Sequence, residues 1–356
     1  MTYKETLFFV GQSLTINHST ENKIAIEQQL KENSIDWDAV VKVSTGHFVF
    51  PALYCNLKRA NFLHYLPEDL VNYMVHITDL NRERNQKIIA QAKEINELLL
   101  ANNITPIFLK GTGNLLEGLY EDIAERMVGD IDFIVEEKNI KTTVSLLKSY
   151  DYYCNDSIVK EDHWHYPAFI HKDKEAYVEI HRKILKDNFQ FHLGIDLFKD
   201  VNNIKSNICV LSFENKLFAT ILPKIINDNL YEKRIIILRN AYDVYLLSHQ
   251  NILNQTEVNY KNKHQKLNNY LGCMKIIFKN TPFINIVNNQ SYKRYTGSYI
   301  KLLDNNKLEN WKVKFINTLV INKNRFYILK KAFKHKSYRK FVVARILQLS
   351  FYKKNH

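Results

Sequence analysis

A single helical pattern runs from Pro67 to the Asn102-Asn103 pair, in PEDLVNYMVHITDLNRERNQKIIAQAKEINELLLANN. Apolar residues recur along it at helical spacing. Proline is tolerated where a helix starts, because its missing N–H would have no partner there, and the asparagines mark the stop. A helix this long has to bury one face along much of its length. Composition points the same way: 356 residues contain only 9 glycines and 6 prolines. That is too little punctuation for a many-turned sandwich or barrel. Upstream, ENKIAIEQQLKEN and DWDAVVKVSTGHFVFPALYCNLKRA repeat the helical spacing. The chain is long enough for two or three domains with sizeable cores.

Past Asn103 the texture changes. ITPIFLK (104–110) is short, apolar and strand-like, and GTGNLLEGLY reads as a glycine turn opening a helix. DIDFIVEE (130–137) predicts a strand and NIKTTVSLLKSYDY a helix. HYPAFIH (165–171) and AYVEIHRKI (176–184), joined by KDKE, predict a β-hairpin. This is an α+β unit over roughly 100–200. Helices return in FENKLFATILPKIIND and KRIIILRNAYDVYLLSHQ. Residues 251–310 are rich in Asn and Lys and give no assignment. WKVKFINTLVINKNRFYILKKAFKHKSYRKFVVARILQLSFYKK predicts one or two basic helices. The expected organisation is an N-terminal helical region (1–100), a small mixed-sheet core (101–205), a helical domain (206–300) and a basic helical segment (301–356). No internal repeat is visible.

The net charge of +13 is uneven. Residues 301–356 carry 15 Lys/Arg against 2 Asp/Glu, so the preceding 300 residues are neutral overall. Cys55, Cys154, Cys209 and Cys273 lie far apart with no C-x-x-C pair, which excludes the common zinc sites and fits a reducing compartment. The N-terminus has no basic n-region or small-residue cleavage site, and no apolar run approaches ~18 residues. A cytoplasmic protein without a transmembrane segment is expected.

Two stretches carry an Asp-x-Asp, a pattern that occurs about once by chance in a chain of this length. In SIDWDAV, Asp36 and Asp38 precede a helical run, where i and i+2 diverge around the axis. Ser34 or Asp36 is better read there as an N-cap. In GDIDFIV, Asp130 and Asp132 open a strand, so both side chains fall on one face while Ile131, Phe133 and Val135 pack beneath. Glu179 in YVEIHR, with Val178 and Ile180 toward the core, offers a third carboxylate beside His181. Magnesium takes hard oxygen ligands, and three converging carboxylates repel unless a cation neutralises them. Upstream, Lys110, Gly111, Thr112 and Gly113 form a turn before a helix, where backbone N–H groups favour an anion. The Walker A spacing is absent.

In order, FLKGTGNLLEGLYEDIAERMVGDIDFIV and YVEIHRKI resemble the DNA polymerase beta-like nucleotidyltransferase superfamily. Within it they look like a bacterial family of uncharacterised nucleotidyltransferases, with L-K-G, L-Y, R-x-x-x-D-I-D and E-I-H in sequence. Here these are Leu109–Gly111, Leu119-Tyr120, Arg126–Asp132 and Glu179–His181. IDWDAVVKVSTGHFVFPALY and RNAYDVYLL extend the resemblance over about 34–250. It implies an α+β fold whose small mixed sheet is flanked by helical regions. It also implies two Mg²⁺ ions held by Asp130, Asp132 and Glu179, transfer of an NMP from an NTP to a hydroxyl acceptor, and release of pyrophosphate. Gly111, Thr112 and Gly113 would hold phosphates, the first two by backbone N–H and the threonine hydroxyl, while Lys110 and Arg126 neutralise their charge. The superfamily turn is usually Gly-Gly or Gly-Ser, so Thr112 departs from it while keeping the hydroxyl. The acceptor is open: a small molecule, a sugar intermediate, a peptide, a protein or an RNA end. So is the base of the NTP, with ATP the working expectation.

His181 could orient Glu179 or touch the acceptor, and Arg239 and Asp243, four apart on a helix, could pair or reach the nucleotide. His163, His165 and His171 fit no common zinc spacing. Segment 307–354 interleaves Lys/Arg with aromatics such as Phe315, Phe326 and Phe333, and could meet nucleic acid, an acidic partner or an anionic membrane surface. The alternative function is therefore a catalytically inactive relative that binds RNA or a partner through this segment. Glu179 turned away from the aspartates would favour it.

Overall fold

The computed structural model describes residues 1–154, 163–185, 198, 201–204, 207–252, 265–279, 281 and 286–354. Five helices come first: α1 (Tyr3–Ser13), α2 (Thr20–Lys31), α3 (Trp37–Gly46), α4 (Phe50–Arg59) and α5 (Glu68–Leu100). The pattern starting at Pro67 is α5, with Pro67 itself as the N-cap. Asp36 is the N-cap of α3, its carboxylate accepting the Ala39 N–H at 3.0 Å.

The α+β unit follows as expected in kind, with shorter strands. β1 is Ile107–Phe108, α6 Lys110–Glu117, β2 Asp130–Ile134, α7 Ile140–Ser149, β3 Tyr153–Cys154, β4 Phe169–Ile170 and β5 Tyr177–His181. The strand expected over 130–137 ends at Ile134, because Glu137–Asn139 turn into a short 3-10 helix that leads into α7. β4 and β5 form the expected hairpin, with Phe169 opposite Val178. β6 (Val201–Ile204) and β7 (Ile208–Leu211) add a second hairpin that the sequence reading missed.

Among the described residues these strands form one mixed sheet in the order β3-β4-β5-β2-β1-β7-β6. β2 is antiparallel to β1 and parallel to β5, and β1 is parallel to β7. Alternation decides which side chain goes where. Ile131, Phe133, Val178 and Ile180 are fully buried and join a core shared with α1 to α5. Burying each such side chain is worth about 1.5–3 kcal/mol. The opposite face carries Ile107, Ile134, Cys209 and Leu211 in a smaller cluster under α8 (Phe213–Leu222). Asp130 and Asp132 share that second face with Ile134.

The remaining helices are α9 (Leu230–Lys233), α10 (Leu238–Ile252), α11 (Gln265–Phe278), α12 (Gln290–Leu303), α13 (Lys307–Lys334) and α14 (Lys336–Lys354). Part of the unassigned 251–310 stretch is thus α11 and α12, and residues 253–264 lie outside the described ones. The basic segment is two helices broken at His335, whose backbone is extended. α8 runs into a turn of π-helix, Pro223–Asn227.

Candidate active site

The long helix positions the site through buried asparagines. Asn81 of α5 donates to the carbonyls of Ala124 (2.7 Å) and Arg126 (3.3 Å), and Asn85 to those of Ile123 (2.6 Å) and Arg126 (2.7 Å). Arg84 donates to the Val128 carbonyl at 2.6 Å. These carbonyls belong to a loop with no ladder of its own, so α5 satisfies what would otherwise be buried orphans. The loop feeds directly into β2.

β2 and β5 then lie in register, with Asp132 opposite Glu179 and Ile134 opposite His181. Asp132 is almost fully buried at 2% exposure, while Asp130 and Glu179 are half-buried. The Lys110 ammonium and the His181 Nε2 both lie 2.7 Å from Asp132 Oδ1. Glu179 Oε2 is 3.7 Å from His181 Nε2. Glu179 therefore faces the aspartates.

The charges are arranged in opposition. Burial resists ionisation of Asp132, but the Lys110 ammonium and the His181 hydrogen bond hold its carboxyl well below the usual range. Glu179 is pushed up to about 7 by burial and by the neighbouring Asp132 charge. Asp130 is raised by burial and then by Asp132. His181 is lowered by burial and by Lys110, and its Nε2 donates to the Asp132 carboxylate. Its buried Nδ1 has no partner among the described residues. Asp132, Glu179 and His181 each bring one ligand atom within 4.8 Å of the others, a set able to hold a divalent cation. An added cation would relieve the mutual repulsion that raises Glu179.

The turn before α6 supports β2. Lys110 sits in the left-handed region at φ 50°, a strained setting for a lysine at the first residue of a helix. Thr112 is buried, and its hydroxyl donates to the Asp130 carbonyl at 2.8 Å. That hydroxyl is thus spent on the strand, and the turn's backbone N–H groups are what it can offer an anion. At Gly113 a Cβ would come within 2.8 Å of the Phe108 carbonyl, so this glycine lets α6 pack close against β1. At Gly111 a Cβ would meet the Arg126 guanidinium at 3.2 Å.

Arg126 lines the cleft beside Lys110 and Asp130 and is held there by a carboxylate. Its Nε donates to both oxygens of Asp243, at 3.0 and 3.1 Å, and Nη1 to the Met127 carbonyl at 2.7 Å. The Tyr120 hydroxyl donates to Asp243 at 2.6 Å. Asp243 therefore pairs with Arg126, where the sequence left open a pair with Arg239 on the same helix. The reason is packing: a buried guanidinium needs a buried carboxylate, and α10 supplies it.

Arg239 lines the cleft as well. Its Nη1 donates to the Met127 carbonyl at 3.0 Å, its guanidinium lies 4.8 Å over the Phe48 ring, and its Nε has no partner among the described residues. Burial and nearby Arg126 lower it to about 10. The corner between α3 and α4 aims it: the His47 carbonyl accepts the Arg239 N–H, and His47 Nδ1 accepts the Leu238 N–H at 3.2 Å. Arg239, Arg126, Asp243, Lys110, Asp130, Asp132, Trp164 and Lys224 line one open cleft. His163 and His165 point their Nδ1 atoms at backbone carbonyls, of His165 and Tyr166, and His171 accepts the Asp173 N–H.

A family model described as uncharacterised nucleotidyltransferase matches residues 33–277, well over half of the chain. The chain belongs to this nucleotidyltransferase family. The match starts just before α3 and ends within α11, so it takes in the corner that aims Arg239 and the whole sheet. No curated protein and no solved structure matches the chain significantly. As a nucleotidyltransferase the protein acts on a nucleotide, and its acidic group with His181 suits a divalent metal. No helix among the described residues is long and apolar enough to cross a membrane. The sequence reading undervalued Arg239 and missed Asn81, Asn85 and Trp164. Buried asparagines at helical spacing on α5 were the available signal.

Proposed function

We propose that the protein transfers an NMP from an NTP to a hydroxyl acceptor in a Mg²⁺-dependent reaction that releases pyrophosphate. The observation that carries this reading is the register of Asp132 with Glu179 on adjacent parallel strands, with Asp130 on the same face. The residues fit a divalent metal: Asp132 and Glu179 bring hard oxygens within 4.8 Å of each other and of His181, and Asp130 shares their sheet face. Asp130, Asp132 and Glu179 would hold two Mg²⁺ ions, which supply charge neutralisation at the triphosphate and activation of the attacking hydroxyl.

The chain's own groups do the rest. The first-turn N–H groups of α6, at Gly111 and Thr112, bind triphosphate oxygens. Arg239, which has no carboxylate partner among the described residues, pairs with the phosphates across the cleft. Lys110, paired with Asp132, lies close enough to the cleft to turn to the triphosphate of a bound nucleotide. Arg126, held by Asp243 in the wall of the cleft, adds positive charge beside the phosphates. Glu179, once ionised, accepts the acceptor's proton, and His181 holds Asp132 in place. The acceptor approaches past Trp164 and Lys224.

The test is incubation of the purified protein with each α-labelled NTP, Mg²⁺ and cell extract. Label should move to an acceptor with the wild type and not with Asp130→Ala/Asp132→Ala. If both proteins label alike, the catalytic reading is wrong.

A further inference from the structure

α13 has two apolar faces. One packs on the protein through buried Val313. The other faces solvent: Leu308, Trp311, Phe315, Leu319, Phe326 and Phe333 are 53% to 84% exposed. At 3.6 residues per turn these six fall within about 80° of arc, together with Leu329. Trp311 and Phe315 stack with ring centroids 5.7 Å apart. Asn322 falls within the same arc between Leu319 and Phe326, and the exposed apolar stripe on either side of it marks an interaction surface. Val343 and Ile346 of α14 are exposed as well, at 55% and 60%.

Positive charge borders the stripe on both sides. By the same helical count, Lys312, Lys323 and Lys330 follow one edge, and Lys307, Lys314 and Arg325 the other. The only carboxylate in α13, Glu309, falls off the stripe and is engaged by Lys312 and Ser298. Three occupants can be compared by chemistry. A second copy of α13 would set lysine edges against lysine edges. A nucleic acid would satisfy the charges but leave leucines and phenylalanines against a polar backbone. An anionic bilayer surface meets both needs: acyl chains receive the aromatic and aliphatic stripe, while the lysine stems carry their charges to the headgroups.

We propose that α13 docks in the plane of an anionic lipid surface, with the stripe from Leu308 to Phe333 buried and its lysine borders on the headgroup phosphates. This surface is separate from the cleft and lies beyond the stretch matched by the family model. Each border lysine near the surface strengthens binding by about fivefold, and salt weakens it.

The experiment is co-sedimentation of the full chain with vesicles of phosphatidylcholine alone, or mixed with phosphatidylglycerol. The mixed vesicles should bind at least about tenfold more tightly. Phe315→Asp/Phe326→Asp should abolish binding while leaving the circular dichroism spectrum unchanged, because both side chains are exposed. Lys312→Glu/Lys330→Glu should weaken it and flatten its salt dependence. Equal binding to the two vesicle types, or full binding by Phe315→Asp/Phe326→Asp, overturns the proposal. So does tighter binding of a mixed-sequence RNA that ignores the Phe substitutions. A dimer by light scattering that Phe315→Asp/Phe326→Asp disperses, with no vesicle capture, assigns the stripe to a second copy instead.

Discussion

Asp36 and Asp38 precede a helix, whereas Asp130 and Asp132 open a strand. At the first pair the carboxylates diverge: Asp36 caps Ala39, and both side chains are exposed. Its carboxyl is held down by backbone N–H groups, as in any capped helix. At the second pair the same spacing puts both groups on one sheet face, where Lys110, His181 and Glu179 wait. The motif is identical, so the difference lies wholly in the backbone beneath it. Period 2 gathers charge, and period 3.6 disperses it.

The largest effect should separate the pairs outright. Asp130→Ala/Asp132→Ala should lower nucleotidyl transfer by several orders of magnitude, while Asp36→Ala/Asp38→Ala leaves kcat and KM unchanged. Initial rates with labelled NTP check both. Next, Arg239→Gln should raise the KM for NTP by about tenfold, the loss expected of one phosphate contact. Asp243→Asn should act differently, by destabilising the fold, since it strands buried Arg126. A thermal melt beside the kinetics distinguishes them.

pH tests the second pair more finely. Glu179 has its folded pKa raised from 4.5 to about 7. Between those values the folded protein keeps a proton that the unfolded chain has released. Its contribution to stability is therefore present below pH 4.5 and lost as pH rises toward 7. Relative to Glu179→Gln, the wild type should lose melting temperature across that window, and Mg²⁺ should restore it above pH 7. A wild-type curve parallel to that of Glu179→Gln would mean Glu179 sits in no such field. The smallest effect is at the first pair: Asp36→Ala should lower the melting temperature by only a few degrees through the lost cap.

These outcomes also show what the sequence makes legible. Alternation puts Asp130 with Asp132 on one face of β2 and Glu179 with His181 on one face of β5, but that the two strands lie side by side is not local, and the sequence left it open. Asp36 could be discounted by the same logic. The partners of Arg126 and Arg239 could not be read. Asp243 lies 117 positions from Arg126, and which arginine takes it depends on how α10 docks on the loop before β2. Thr112 looked like a phosphate ligand because its type is right. Its hydroxyl instead holds the Asp130 carbonyl, and only the relative placement of α6 and β2 decides that. β6 was missed because Val201–Ile204 is half polar and pairs only with its own hairpin partner.

The most direct measurement is divalent-cation binding, followed by the electron paramagnetic resonance of Mn²⁺ in the presence of a non-hydrolysable NTP. The wild type and Asp36→Ala/Asp38→Ala should bind Mn²⁺ alike, and Asp130→Ala/Asp132→Ala should leave it off the protein, with the signal of the aqueous Mn²⁺–nucleotide complex. Equal binding by all three proteins would contradict a metal site built on Asp130, Asp132 and Glu179.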